Sequence, residues 1–174
     1  EDCAHAPFAW HEFKSGSQKF VGAIGDVGCF SFFGNKNMTT GEGGMVITNN
    51  EEYNNIARLV RSHGEVLVEK GRSYLSSILG WNYRMTEIEA AIGIEQLKKM
   101  DSMNELRKNN AKILDEISNL NGLSKIKTPG NNSLNVYHAY TLLYDKKIVD
   151  VPRELILEAL NAEGIEVDKG YPHP

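Results

Sequence analysis

Phe30-Ser31-Phe32-Phe33-Gly34-Asn35-Lys36-Asn37-Met38-Thr39-Thr40-Gly41-Glu42-Gly43-Gly44 is the stretch on which the fold turns, and Lys36 stands at its centre. The run from Val27 to Phe33 is apolar and aromatic, carries a hydroxyl at Ser31, and reads as a buried strand. Behind the lysine come two threonines and the glycines 41, 43 and 44 around Glu42, residues that serve a tight backbone. Met45-Val46-Ile47-Thr48 reads as a second strand. A lysine at a turn between two strands, with rings on one side and glycines on the other, is poised rather than merely solvated.

Toward the start, Asp2 and His5 lie three positions apart among small residues, which let a backbone approach a ligand closely. Trp10 to Lys19 reads as a hairpin or irregular segment, and Gly22 to Gly28 carries turn signals. Downstream, Asn49-Asn50 can cap a helix over 51–63, whose Tyr53, Ile56, Ala57 and Val60 share a face and which Gly64 ends. Residues 65–80 read as a loop. Thr86 with Glu89 is a capping-box signature that opens a long helical stretch to about Leu120, restarting or continuing at Ser102. A turn-rich link follows at 128–132, then a strand over 136–144, a helix begun by Pro152 and closed by Gly164, and a short strand over 165–169. This order predicts a first region over 1–120 and a small α/β domain over 121–174.

The 174 residues suffice for a buried core, and 41 % hydrophobic with 24 % charged content is ordinary for a globular chain. A net charge of −4 with mixed signs gives no footprint for nucleic acid. Cys3 and Cys29 form neither a metal-ligand spacing nor a disulfide framework and read as small buried residues, so a reduced, cytoplasmic setting is expected. His11, His63 and His138 have no partner spacing for a metal. No run has transmembrane length and no leader pattern is visible. The opening Glu1-Asp2-Cys3 and the closing Tyr171-Pro172-His173-Pro174 read as an internal fragment of a longer protein.

A lysine becomes a nucleophile when its ammonium is destabilised, and its natural covalent partner is an aldehyde. Pyridoxal phosphate (PLP) also requires an acid against its ring nitrogen, a hydrogen bond to its phenolic oxygen and a phosphate cup. Asp2 can supply the acid, His5 the phenolic-oxygen partner, Ser31 a phosphate contact, and Asn82 or Arg84, just before a helix start, an anion contact.

The ordered set Glu1-Asp2-Cys3-Ala4-His5-Ala6, Gly25-Asp26-Val27-Gly28-Cys29-Phe30-Ser31-Phe32, Asn35-Lys36-Asn37-Met38-Thr39-Thr40-Gly41-Glu42-Gly43-Gly44, Arg61-Ser62-His63-Gly64 and Gly80-Trp81-Asn82-Tyr83-Arg84-Met85-Thr86-Glu87 strongly resembles the DegT/StrS family of PLP-dependent sugar aminotransferases. The resemblance implies an α/β, aspartate-aminotransferase-like fold (PLP fold type I). The chain would hold the C-terminal part of the large domain and the start of the small one. It implies Lys36 as the catalytic and cofactor-linked lysine, Asp2 at the ring nitrogen, and Ser31 at the phosphate. Asn82 would reach the phosphate of the neighbouring subunit's cofactor in a homodimer with a shared active site, with Arg84 the alternative. His5 falls where the family commonly has glutamine. The implied substrates are a nucleotide-linked keto-sugar and an amino-acid donor, by family habit glutamate.

Two rival readings differ in kind. Relatives that deoxygenate sugars with the same cofactor replace the lysine by histidine, and here Lys36 is present. A non-catalytic or regulatory remnant would keep the fold without the chemistry. Glu42 is expected in a turn, and Trp10 and Trp81 in packing, with Trp81 also a candidate for a subunit interface.

Overall fold

The computed structural model describes residues 1–68, 71–117, 120–126 and 133–170. In chain order its elements are β1 (Trp10–Glu12), β2 (Gln18–Phe20), β3 (Gly28–Ser31), β4 (Gly44–Ile47), α1 (Glu51–Arg61), β5 (Glu65–Val68), β6 (Gly71–Ser76), α2 (Glu87–Leu97), α3 (Met100–Ile117), β7 (Leu123–Lys125), β8 (Ser133–Leu134), β9 (Leu142–Tyr144) and α4 (Arg153–Ala162). This is an α/β chain. It divides into two compact units, residues 1–109 with 128–138, and 110–127 with 139–174. The division differs from a junction at 120/121. Residues 133–138 go with the first unit because β8 pairs with β1 and the Val136 carbonyl accepts a hydrogen bond from Asn37.

In the first unit, β3 and β4 form an antiparallel pair with Phe30 opposite Met45 and Ser31 opposite Gly44. The segment at Asp2 joins the other edge of β3 in parallel, with Cys3 N–H donating to Cys29 O and Cys29 N–H to Glu1 O. The lysine turn is pinned on both sides. Phe32 and Met38 are buried with Met100 in one apolar cluster, with Phe30 and Met85 packed against it. The burial expected of the strand at 27–33 is only partial: Gly28 and Phe32 are buried, whereas Cys29 and Phe33 are exposed. Among the described residues β4 is the named strand paired along β3, and the other edge of β3 meets only the short Asp2 segment, which leaves the side chains of Cys29 and Phe33 exposed. Cys3 is fully buried, but Cys29, also expected inside, is exposed.

Helix α1 starts where Asn50 caps it, its side chain accepting from Tyr53 N–H, and it ends at Ser62, with Gly64 N–H returning to Leu59 O. The capping box at α2 is complete, with Thr86 and Glu89 bonding reciprocally. The expected long helix is broken at Lys98–Lys99 into α2 and α3. Gly93 of α2 lies against the lysine turn: a Cβ there would sit 3.1 Å from the Thr40 methyl.

Three sequence expectations require correction. Residues 65–80 contain an antiparallel pair of strands, β5 with β6, because Val66 and Val68 in the run Glu65-Val66-Leu67-Val68 are β-branched residues that favour a strand. The strand expected over 136–144 is interrupted. Tyr137 adopts φ 45°, its N–H donates to Asn135 Oδ1, and the carbonyls of 136–138 are taken by side chains rather than a ladder. Residues 165–169 form no strand. Asn161 of α4 bonds both Val167 N–H and Val167 O, which fixes that segment beside its own helix.

In the second unit, β7 and β9 pair antiparallel with Leu123 opposite Tyr144, and α4 follows. Asp115 holds Lys125 at 2.8 Å and the Tyr140 hydroxyl at 2.8 Å.

Candidate active site

Strand β3 ends at Ser31, and the chain then turns tightly: Lys36 N–H donates to Phe33 O, and Thr40 N–H returns to Phe32 O. This fold-back presents the Lys36 side chain while the residues on either side stay anchored, Phe32 before it and Asn37 and Met38 after it, all buried. Gly43 closes the turn at φ 144°, a backbone region essentially reserved for glycine.

Lys36 Nζ lies 2.6 Å from His5 Nε2, so two residues from separate segments converge on one point. Burial lowers the pKa of His5 below its ordinary value, and the Lys36 charge lowers it further; the carboxylate of Asp2 works in the opposite direction. His5 is therefore a neutral imidazole at neutral pH and serves as acceptor for the lysine ammonium, which has only donors. Asp2 Oδ1 accepts the Ala4 N–H at 3.0 Å, which holds its carboxylate at the start of the turn that carries His5. The whole segment is tied down by Glu1, whose carboxylate accepts N–H bonds from Gly22, Ile24 and Gly25. Desolvation of Glu1 opposes its ionisation, but these three bonds outweigh it and its pKa is lowered.

Ser31 lies two residues beyond Cys29, the partner of Asp2, and strand alternation puts both on one face of β3. His5 and Lys36 thus meet directly, and the Asp2 segment pairs with the strand that carries Ser31, whose Oγ accepts from Phe33 N–H at 3.4 Å. Asn82 lies on a different segment. Its backbone bridges to Ser62, and its side chain is on an exposed stretch beside Trp81 and Tyr83, whose rings stack at 5.8 Å. Arg84, the alternative anion contact, donates to the Ser62 hydroxyl at 3.1 Å and is half-buried.

Two residues of this neighbourhood escaped the sequence reading as site residues. Asn37 is buried, with Nδ2 donating to Val136 O at 3.0 Å and Oδ1 3.1 Å from His138 Nδ1. His138 stacks on His5 with ring centroids 3.8 Å apart and an interplanar angle of 19°. No local pattern at 136–138 signals this, because the contact spans about a hundred positions of sequence. The one available cue is that a polar Asn follows the lysine directly before an apolar Met38. Among the described residues no group of three or more His, Cys, Asp or Glu could hold a metal ion, and no helix is long and apolar enough to cross a membrane.

The whole chain, residues 1–174, matches the DegT/DnrJ/EryC1/StrS aminotransferase family. This chain belongs to that family. It is 39 % identical over 173 residues to an uncharacterized protein of Methanocaldococcus jannaschii, covering 95 % of this chain and 43 % of that one. It is 39 % identical over 143 residues to the GDP-perosamine synthase of Escherichia coli O157:H7, covering 82 % of this chain and 36 % of the synthase. Among solved structures, DesV of S. venezuelae, crystallised in complex with a ketimine intermediate, superposes with a TM-score of 0.81 at 28 % identity, over 99 % of this chain and 42 % of DesV. The family match establishes the fold class that the resemblance implied, the type I fold of PLP-dependent sugar aminotransferases. The chain spans roughly two-fifths of the length of the proteins it resembles.

Proposed function

We propose that the protein containing this chain is a PLP-dependent aminotransferase that moves an amino group from an amino acid, glutamate in the leading reading, to a keto group of a nucleotide-linked sugar. The observation that carries the proposal is the 2.6 Å approach of His5 Nε2 to Lys36 Nζ beside Asp2. The donor set fits the cofactor. A pyridoxal ring bears an aldehyde next to a phenolic oxygen, so an amine and an imidazole nitrogen that meet at one point match those two neighbouring groups. An acid on the adjoining segment and a hydroxyl on β3 match the ring nitrogen and the phosphate.

Bound at such a site, the cofactor supplies an electrophilic carbon and a ring that withdraws electrons from a neighbouring C–H bond. Lys36 Nζ would hold it covalently and, once released, would accept a proton at one carbon and return it at another as general base. Asp2 would keep the ring nitrogen protonated. The neutral His5 imidazole accepts from Lys36 in the free site through Nε2. Facing the cofactor, its ring nitrogen would serve the phenolic oxygen. Ser31 Oγ would donate to the phosphate. Asn82, exposed on its own segment, would act on the cofactor of a second subunit in a homodimer, and the reaction would take place in the cytoplasm. The GDP-perosamine synthase relative, by its name, supports a nucleotide-linked sugar as acceptor.

The test is incubation of the complete protein with PLP, glutamate or glutamine, and a panel of nucleotide-linked keto-sugars, read by mass spectrometry. An aminosugar product that requires Lys36 is expected. Intact PLP binding with no amino transfer to any keto-sugar would overturn the reading.

A further inference from the structure

We propose that His138 is a positioning residue for the His5–Lys36 pair, its ring clamped between Asn37 and His5 so that His5 keeps one plane and one nitrogen role toward the lysine. The proposal rests on reading Lys36 as the reactive amine.

The geometry supporting it is continuous. Asn37 follows Lys36 directly and is almost fully buried, at 1 % exposure. Its Nδ2 donates to Val136 O, so its Oδ1 is left as the acceptor toward His138. That assignment puts the His138 proton on Nδ1 and fixes its tautomer. The His138 ring then lies nearly parallel to His5 at stacking distance. A stacked ring blocks rotation of His5 about its own bonds and excludes water from one of its faces.

The backbone behind His138 is shaped for this purpose. Tyr137 is held at φ 45°, in the left-handed region that a bulky residue rarely adopts, and Asn135 Oδ1 secures its N–H. Arg107 Nη1 donates to the carbonyls of both Tyr137 and His138. A strained turn over-determined by three side chains is the kind of feature that a functional site retains. Lys36 and Asp2 are the charged groups acting on His5; His5, Lys36 and Arg107 act on His138. Burial is the leading cause that lowers the pKa of each ring, and the mutual stack supplies part of that burial.

The clamp can be tested without turnover. The complete, cofactor-free protein is labelled with 13C-histidine, and the His5 resonances, assigned by their loss in His5→Gln, are followed against pH. In the parent protein His5 shows a single tautomer and titrates below 6.5, the ordinary histidine value. In His138→Ala the midpoint moves up toward that value and the tautomers mix. His138→Phe, which keeps a stacking face, retains most of the parental behaviour. If His138→Ala fails to fold, His138→Gln, which keeps a polar partner for Asn37 but no ring, is expected to give the same upward shift. An unchanged His5 midpoint and tautomer in the folded ring-less variant would overturn the clamp. Failure of amino transfer in the parent protein, with the His5 shift still seen, would sink the proposed function and leave the clamp standing.

Discussion

His5 and Lys36, thirty-one positions apart, meet through Nε2 and Nζ at 2.6 Å. A side chain at position 5 must therefore offer an acceptor to an amine. Glutamine can do so through its amide oxygen, and alanine cannot. His5→Gln is expected to keep most of the activity of the complete enzyme. His5→Ala should lose a hydrogen bond to a charged group, worth about 1.5–3 kcal/mol. In kcat/KM that is roughly a ten- to hundred-fold loss. Steady-state kinetics of the two variants decides between them, and equal loss in both would show that the acceptor is not what matters.

Lys36 itself is half-buried on a turn whose anchors are its neighbours Phe32, Asn37 and Met38. Replacing it by alanine should remove covalent cofactor capture without unfolding the turn. The expected result for Lys36→Ala is loss of the lysine-dependent absorbance band of PLP and activity at background, while the unfolding free energy from urea denaturation changes by about 1 kcal/mol or less. A band that persists in the variant would assign the covalent link to another amine.

Much of this was legible in advance, and the reasons for the failures are physical. The strand–lysine–glycine stretch, the Asn50 and Thr86 caps and the hairpin at 10–20 are local: each depends on residues a few positions apart. Asp2, His5, Ser31 and Lys36 are candidates by their chemistry, and an ordered resemblance gives them roles; the structure brings His5 to Lys36 and pairs the Asp2 segment with β3. The misreadings arise where side chains override periodicity. Apolar alternation over 136–144 suggested one strand, but Asn37 and Arg107 claim the carbonyls of Val136, Tyr137 and His138. The same contacts hide His138, whose partners in the site are Asn37 and His5. Val167 shows the effect on a smaller scale, tied to Asn161 rather than to a strand.

Gly43 closes the lysine turn at φ 144°, and a Cβ there would meet Thr40 Oγ1 at 2.6 Å and Met85 Cε at 2.8 Å. The methionine end can move, but Thr40 is buried. Gly43→Ala should therefore cost about 1–3 kcal/mol through backbone strain. Urea denaturation measures it. Gly41→Ala provides the comparison: φ is 87° with no atom within 4 Å of the added Cβ, so strain is present without the clash and the loss should be smaller.

Thr86 accepts from Glu89 N–H, and Glu89 reaches back to Thr86 N–H at 2.7 Å. The helix thus capped, α2, carries Gly93 against Thr40 of the lysine turn. Thr86→Ala is expected to lower stability by about 1 kcal/mol, and Thr86→Ser to restore most of it. Denaturation midpoints of the pair distinguish lost capping from lost side-chain packing, since serine restores the hydroxyl but not the methyl.

The two stacked histidines set a pH dependence of stability that is separate from that of the carboxylates. Burial lowers the folded pKa of His5 and of His138 below 6.5; the Lys36 charge adds to it at both rings, and Asp2 opposes it at His5. In the unfolded chain both titrate near the ordinary value. Around and below pH 6.5 the unfolded state therefore binds more protons than the folded state, and stability rises with pH across that window. The contribution is fully present above 6.5 and is lost as pH falls through the folded values. Glu1 and Asp115 have pKa values lowered from 4.5 and 3.8, so their losses begin only in more acidic solution. Urea midpoints taken from about pH 8 down to about pH 5 should fall in the parent protein ahead of the losses tied to Glu1 and Asp115. In the double variant His5→Gln with His138→Gln the curve should be flatter over that range. A parent curve that stays level to pH 5 would mean that neither ring is held neutral by the fold.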